Sequence, residues 1–178
     1  MPTSTADIWE TIGAEAGAES RLWTNALRPL EEQEREPIFS ALAESRYALG
    51  VETIYEGYLL HYGRPRLFTP EDDDTALLLG DYLYAHGLVR VERVGSVEAV
   101  NDLAELIALC AYLQAESVAG DGPLWAATST LLGRGALDDA RSSLRLDNDS
   151  GPLERLAREA AGDREVSASL DAHRARLR

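Results

Sequence analysis

Lysine is missing from this chain altogether; all 17 basic residues are arginine. That excludes a Schiff-base lysine and a Walker-type phosphate lysine, since both chemistries need a primary amine. A single cysteine, Cys110, has no partner for an intrachain disulfide and cannot supply a multi-cysteine metal site. It lies in an apolar run, reads as core, and fits a reducing, cytoplasmic setting. No uninterrupted apolar run reaches the ~18 residues of a membrane helix. The start, Met1-Pro2-Thr3-Ser4, lacks the basic residues and apolar stretch of a signal peptide, so no transmembrane segment is expected. Positive charge is also scarce: 31 acidic residues leave a net charge of −14. A field of that sign repels nucleic acid, anionic headgroups and diphosphates unless a local basic pocket overrides it, and the sequence has no such pocket. No nucleic-acid partner is expected; a basic protein partner fits.

With 178 residues, 45% of them apolar, the chain has enough for one well-buried domain spanning 1–178. Helical periodicity runs through it, and no β-type alternation of useful length appears, so the predicted fold is all-α, an antiparallel helical bundle. A short helix is predicted from Thr5 to Ala18, capped by Ser4, Thr5 or Asp7, and a second from Ser20 to Gln33, broken at Pro29. Glu31 to Glu36 reads as a solvated turn. From Pro37 the apolar pattern continues to His61 as one long helix, bent at Gly50. Residues 62–68 form a loop.

Thr69-Pro70-Glu71-Asp72 is the clearest helix start: a capping hydroxyl, proline at the first helical position, and carboxylates where the dipole favours them. This helix, running to about Val91, has hardly any polar face and should be covered on several sides. Gly80 and Gly87 within it cost stability unless close helix packing repays them. Gly95-Ser96 opens a helix from Val97 to about Val118 with Glu98, Asp102 and Glu105 as its wet stripe. Gly120-Asp121-Gly122-Pro123 ends it. Two shorter helices follow, Leu124 to Leu132 and Ala136 to Leu146. A final helix, Pro152 to Arg178, carries His173, Arg174, Arg176 and Arg178 in its last turn, as the dipole favours; it is a candidate peripheral element.

Gly63-Arg64-Pro65 followed by Leu78-Leu79-Gly80-Asp81-Tyr82-Leu83 resembles the all-trans polyprenyl diphosphate synthases, an all-helical family that elongates isoprenoid chains. Val51-Glu52-Thr53-Ile54 with Leu59-Leu60-His61 is similar to the family helix that leads to its first aspartate-rich DDxxD motif. Leu113-Gln114-Ala115-Glu116 faintly matches the helix that follows. The resemblance covers Val51 to Glu116 and implies an isoprenoid-synthase-like bundle in truncated form. Family chemistry needs two aspartate clusters holding Mg²⁺ on the diphosphate. Here His61 is followed at once by Tyr62-Gly63, where the first cluster should stand; an ungapped alignment puts Glu52, Thr53 and Glu56 there, one carboxylate short. Asp138-Asp139 lacks a third aspartate at the required spacing, and the family's diphosphate-gripping lysines have no counterpart.

The resemblance therefore implies a shortened, non-catalytic relative, like the small subunits of heteromeric hexaprenyl and heptaprenyl diphosphate synthases. No catalytic residue and no metal ligand is assigned, and Mg²⁺ would enter only through a catalytic partner. The implied partner is a catalytic synthase subunit, whose product length or release the chain influences; a second copy of the chain and an isoprenoid chain are the further candidates. Two alternatives stand beside it: a stand-alone enzyme with a degenerate Mg²⁺ site built from Glu52, Glu56 and Asp81, and a helical binding or scaffold protein with a hydrophobic tunnel. The vestigial substrate-side residues are Arg64, Asp81, Tyr55, Tyr58 and Tyr82. Tyr47, Tyr55, Tyr58 and Tyr62, with Tyr82 and Tyr84, could equally be a tunnel lining or ordinary core. Asp81, a carboxylate in an apolar helical turn, needs a partner, with Arg64 or Arg66 as candidates. Asp72-Asp73-Asp74 point around a helix in steps of about 100° and cannot converge on one ion, so they read as capping. His61 and His86 read as packed or helix-end histidines.

Overall fold

The computed structural model describes residues 5–177; the expected cap at Ser4 and the basic Arg178 lie outside them. The described chain is all-α, with helices α1 (Thr5–Glu19), α2 (Arg21–Ala26), α3 (Ala48–Tyr62), α4 (Asp73–Val94), α5 (Val97–Ala115), α6 (Asp121–Thr130), α7 (Asp138–Asp147), α8 (Gly151–Ala161) and α9 (Asp163–Arg174). Two isolated bridges, Leu27 to Phe68 and Gly63 to Leu177, are its only β-type pairings among the described residues.

The axis of the molecule is the α3–α4 pair. Gly50 and Gly57 on α3 face Gly87 and Gly80 on α4, so the two helices run antiparallel with their backbones almost in contact. A methyl at Gly57 would stand 2.9 Å from the Gly80 carbonyl oxygen, and one at Gly87 would meet Ile54 Cγ1 at 2.4 Å. The four glycines, each costing about 1 kcal/mol of helix propensity, are repaid by this approach. Every α3 residue from Gly50 to Leu60 is buried. On one flank of the pair lies the main core, built from α3, α5, α6, α7, α8 and α9 around Tyr55, Tyr58, Leu106, Trp125 and Leu144. On the other flank Trp9, Ile12 and Trp23 of α1 and α2 close on Leu60, Phe68 and Leu79.

Several sequence expectations shift here. The long helix expected from Pro37 begins only at Ala48, behind two 3₁₀ turns at Ser40–Leu42 and Ser45–Tyr47. The amides of Ile38 and Ser40 are drawn onto the Glu52 carboxylate instead of an α-helical ladder. Helix α4 starts three residues later than Thr69-Pro70 suggests, because Asp72 is the cap, accepting from the Thr75 amide at 2.7 Å. The second helix stops at Ala26, where the chain turns to bridge Phe68, well short of Gln33.

The single helix expected from Pro152 to the end is two, broken at Gly162, whose φ of +96° favours glycine. Asp102, expected on a wet stripe, is buried and accepts from Arg141 at 2.9 Å and from the Gly133 amide at 2.8 Å. The outward side of α4 is uncovered, contrary to expectation: Leu77 and Leu78 are 52% and 56% exposed. Cys110 is buried, and burial pushes its thiol pKa well up. No described helix is long and apolar enough to cross a membrane.

Candidate functional site

Helix α3 carries two polar networks on neighbouring flanks. The first contains the carboxylates that the sequence offered as a degenerate metal site. Glu52, Glu56 and Arg66 are all fully buried. Arg66 Nη1 donates to Glu52 Oε2 at 2.6 Å and to the Glu36 carbonyl at 2.9 Å; its Nε donates to Glu56 Oε2 at 3.1 Å. Glu56 Oε1 also accepts the amides of Arg66 and Leu67 at 2.8 and 2.7 Å. The guanidinium lies over the rings of Trp9 and Tyr55, 4.7 and 5.0 Å from their centroids. Burial alone would lower the Arg66 pKa, but Glu52 and Glu56 raise it above the ordinary arginine value.

Every oxygen of the two glutamates thus has a donor, and Arg66 occupies the space a cation would take. The third carboxylate of that reading, Asp81, lies on the outer side of α4, 65% exposed and 3.2 Å from His61 Nε2. Its partner is neither Arg64 nor Arg66, and exposure removes the burial cost that singled it out. These residues do not fit Mg²⁺, and no group of three or more His, Cys, Asp or Glu among the described residues is arranged to hold a metal.

The second network reaches a cavity. The Tyr55 hydroxyl is 2.8 Å from His173 Nδ1, and His173 Nε2 is 3.0 Å from Asp121 Oδ2. The Tyr58 hydroxyl donates to the same oxygen and accepts from Gln114 Nε2 at 3.3 Å. Phe39 and Trp125 complete the surrounding aromatic cluster: Tyr55 and Tyr58 stack 5.9 Å apart, and both meet Trp125 edge-on. Burial drives both tyrosine pKa values up, so both hydroxyls keep their protons. Burial would raise that of Asp121 too; the bonds from His173 and Tyr58 bring it below the ordinary aspartate value.

Asp121 opens α6 because Gly120, at φ +131°, turns the chain sharply and Gly122 lets α9 approach; a Cβ at Gly122 would stand 3.1 Å from Leu170. Above Asp121 lies a cavity of about 430 Å³ between α6, α8 and α9.

Of the five predicted substrate-side residues, then, the structure brings together Tyr55 and Tyr58, both fully buried in the core. Arg64 is spent on the chain end: its amide donates to the Arg176 carbonyl at 2.8 Å and its side chain to the Ala175 carbonyl. Tyr82 packs against Trp23 and His86 on the opposite flank. His86 is 2.6 Å from Glu15, which also holds Arg90 at 2.5 Å. Asp121 and His173 were missed, though the sequence carried a signal for each. Val166, Leu170 and His173 share one helical face, which places the histidine inward, and Asp-Gly-Pro after a glycine marks a helix start as well as a stop. Compared with known proteins, the chain matches no family model, no curated protein and no solved structure.

Proposed function

We propose that this chain is a non-catalytic subunit that associates with a catalytic all-trans polyprenyl diphosphate synthase and influences the length or release of its product. The sequence resemblance supplies the partner class, and the observation that carries the association is the outward side of α4 and its neighbour α5. There α4 exposes Leu77, Leu78, Ala85 and Val89, while α5 exposes Val97, Ala104, Ala108, Ala111, Tyr112 and Ala115. A solvated helix ordinarily turns charge outward; here, Asp81 and Asn101 apart, these outward positions are apolar or small, as on a helix that packs against another. Asp81 stands among them, and Asp74, Glu92 and Glu98 border them with Arg93 exposed beside Glu92, a net acidic edge that fits a partner whose apolar strip is edged with basic residues. The alternative of a stand-alone enzyme has no geometric support, because Glu52 and Glu56 are held by Arg66 and Asp81 stands apart from them.

The reading is tested by mixing the purified chain with a full-length synthase and following size-exclusion elution and product length. Co-elution and a changed product distribution are expected, and both should be lost in Leu78→Arg with Ala108→Arg. A monodisperse monomer that leaves every synthase tried unaffected overturns it.

A further inference from the structure

The cavity over Asp121 is lined by a carboxylate with one oxygen that no side chain bonds among the described residues. Tyr55 is fully buried, and its hydroxyl has His173 Nδ1, 2.8 Å away, as its one hydrogen-bond partner among the described residues. Tyr55, His173 and Asp121 thus form one chain of hydrogen bonds that ends on Asp121 Oδ2, 3.0 Å from His173 Nε2. Tyr58 contributes a neutral hydroxyl to the same oxygen. Both side-chain bonds to Asp121 converge on Oδ2, so Oδ1 has no side-chain donor among the described residues and the carboxylate has an open oxygen at the base of the cavity.

The two arginines at the rim are matched by carboxylates: Arg158 pairs with Glu154, which also lines the cavity, at 2.7 Å, and Arg174 with Asp171 at 2.8 Å. The walls are largely apolar, with Ala119, Pro123, Leu170 and Leu177 facing the space. The α6 N-terminus contributes only about half a positive charge, less than the carboxylate it adjoins.

We propose that this cavity binds a small organic cation, an ammonium or guanidinium group on an apolar stem. The charged head sits on Asp121 and the stem lies along Leu170 and Leu177. A volume of about 430 Å³ is in the range of small-molecule sites. The net charge of −14 enriches cations around the whole molecule. The same head and stem occur in a free amine and in a lysine or arginine side chain of another protein.

Calorimetric titration of the full chain with benzylamine, butylguanidinium and benzyl alcohol tests the site. Saturable binding of the two cations, and none of the alcohol over the same range, is expected. Asp121→Asn should weaken benzylamine by about tenfold or more. Because that variant also loosens the bonds to Tyr58 and His173, Ala119→Trp, which blocks the cavity from an exposed position, should abolish binding while the circular dichroism stays unchanged. A peptide carrying one lysine between apolar residues separates the sources: binding tighter than benzylamine supports a protein side chain as ligand, and equal or weaker binding supports a free amine. The proposal is overturned if benzyl alcohol binds as well as benzylamine, if Ala119→Trp binds benzylamine unchanged, or if no saturation is seen with benzylamine by about 10 mM, where a site of this size should respond.

Discussion

Glu52 and Glu56 on one flank of α3, and Asp121 reached by Tyr55 and Tyr58 from the other, are both carboxylates taken out of bulk water, yet they are built to different ends. Around the glutamates every oxygen has its own donor, four of them backbone amides, and a guanidinium fills the middle. Around Asp121 two side-chain bonds share one oxygen, and beyond it lies a cavity. A sealed network specifies how segments meet: Arg66 ties the loop after α3 to the turn before it. A network with one open side can still exchange with a ligand. Carboxylates at helical spacing look alike in sequence, and only the donor inventory tells the two kinds apart.

Breaking the sealed network should have the largest effect. Arg66→Met keeps the bulk but leaves two buried carboxylates without their cation. A buried pair that loses one partner costs about 3–5 kcal/mol, a large part of the stability of an ordinary domain. Urea unfolding should show a correspondingly lower midpoint with an unchanged slope. A loss below about 1 kcal/mol would mean that solvent reaches these carboxylates and that the network is not sealed.

The open network should respond less, and through acid. His173→Phe removes the acceptor of Tyr55 and a donor to Asp121, for a cost of about 1–3 kcal/mol. The native pKa of Asp121 is lowered from the ordinary 3.8, so the unfolded chain binds its proton first. The stability it contributes is complete above that ordinary value and is lost as pH falls through the lower, folded one. Without His173 that lowering is weakened, so the acid-unfolding limb of the variant should move to higher pH. Coincident limbs for wild type and variant would show that His173 does not hold Asp121 ionised.

What could be read in advance follows from the range of the interactions. Helix starts are local, so those expected at Ser20 and at Gly95-Ser96 are found, and the two serines there bond Leu22 and Ala99 two and three residues on, whereas the cap expected at Thr69 falls to Asp72. The demand that Gly80 and Gly87 be repaid by close packing also holds, although the sequence does not say that Gly57 and Gly50 are the surfaces they meet. The clamps were hidden because their halves are far apart: Tyr55 and His173 are separated by 118 residues, Asp102 and Arg141 by 39. A carboxylate with no nearby cation reads as solvated, and a histidine near a chain end reads as dipole compensation, until the fold supplies the partner. Residues 37–47 failed for a related reason: the amides that would start a helix there bond Glu52.

Asp81 gives the smallest expected effect and marks the outer limit of the comparison. A carboxylate within an apolar helical turn calls for a partner, but its side chain is 65% exposed and its ion-pair contact among the described residues is a single histidine. An exposed pair contributes about 0–1 kcal/mol, because water solvates the carboxylate nearly as well as its partner does. His61 itself is held from the other side. It stacks on Tyr84 at 5.0 Å, and a methyl on Gly80 would stand 2.6 Å from its Nε2, so its position does not depend on Asp81. Burial lowers the His61 pKa while Asp81 raises it in part. Asp81→Asn should therefore lower the His61 pKa further, detectable by NMR titration of the ring, and change the urea midpoint by less than about 0.5 kcal/mol equivalent. A loss comparable to that of His173→Phe would place Asp81 with the buried networks, as a carboxylate whose partner the fold does require.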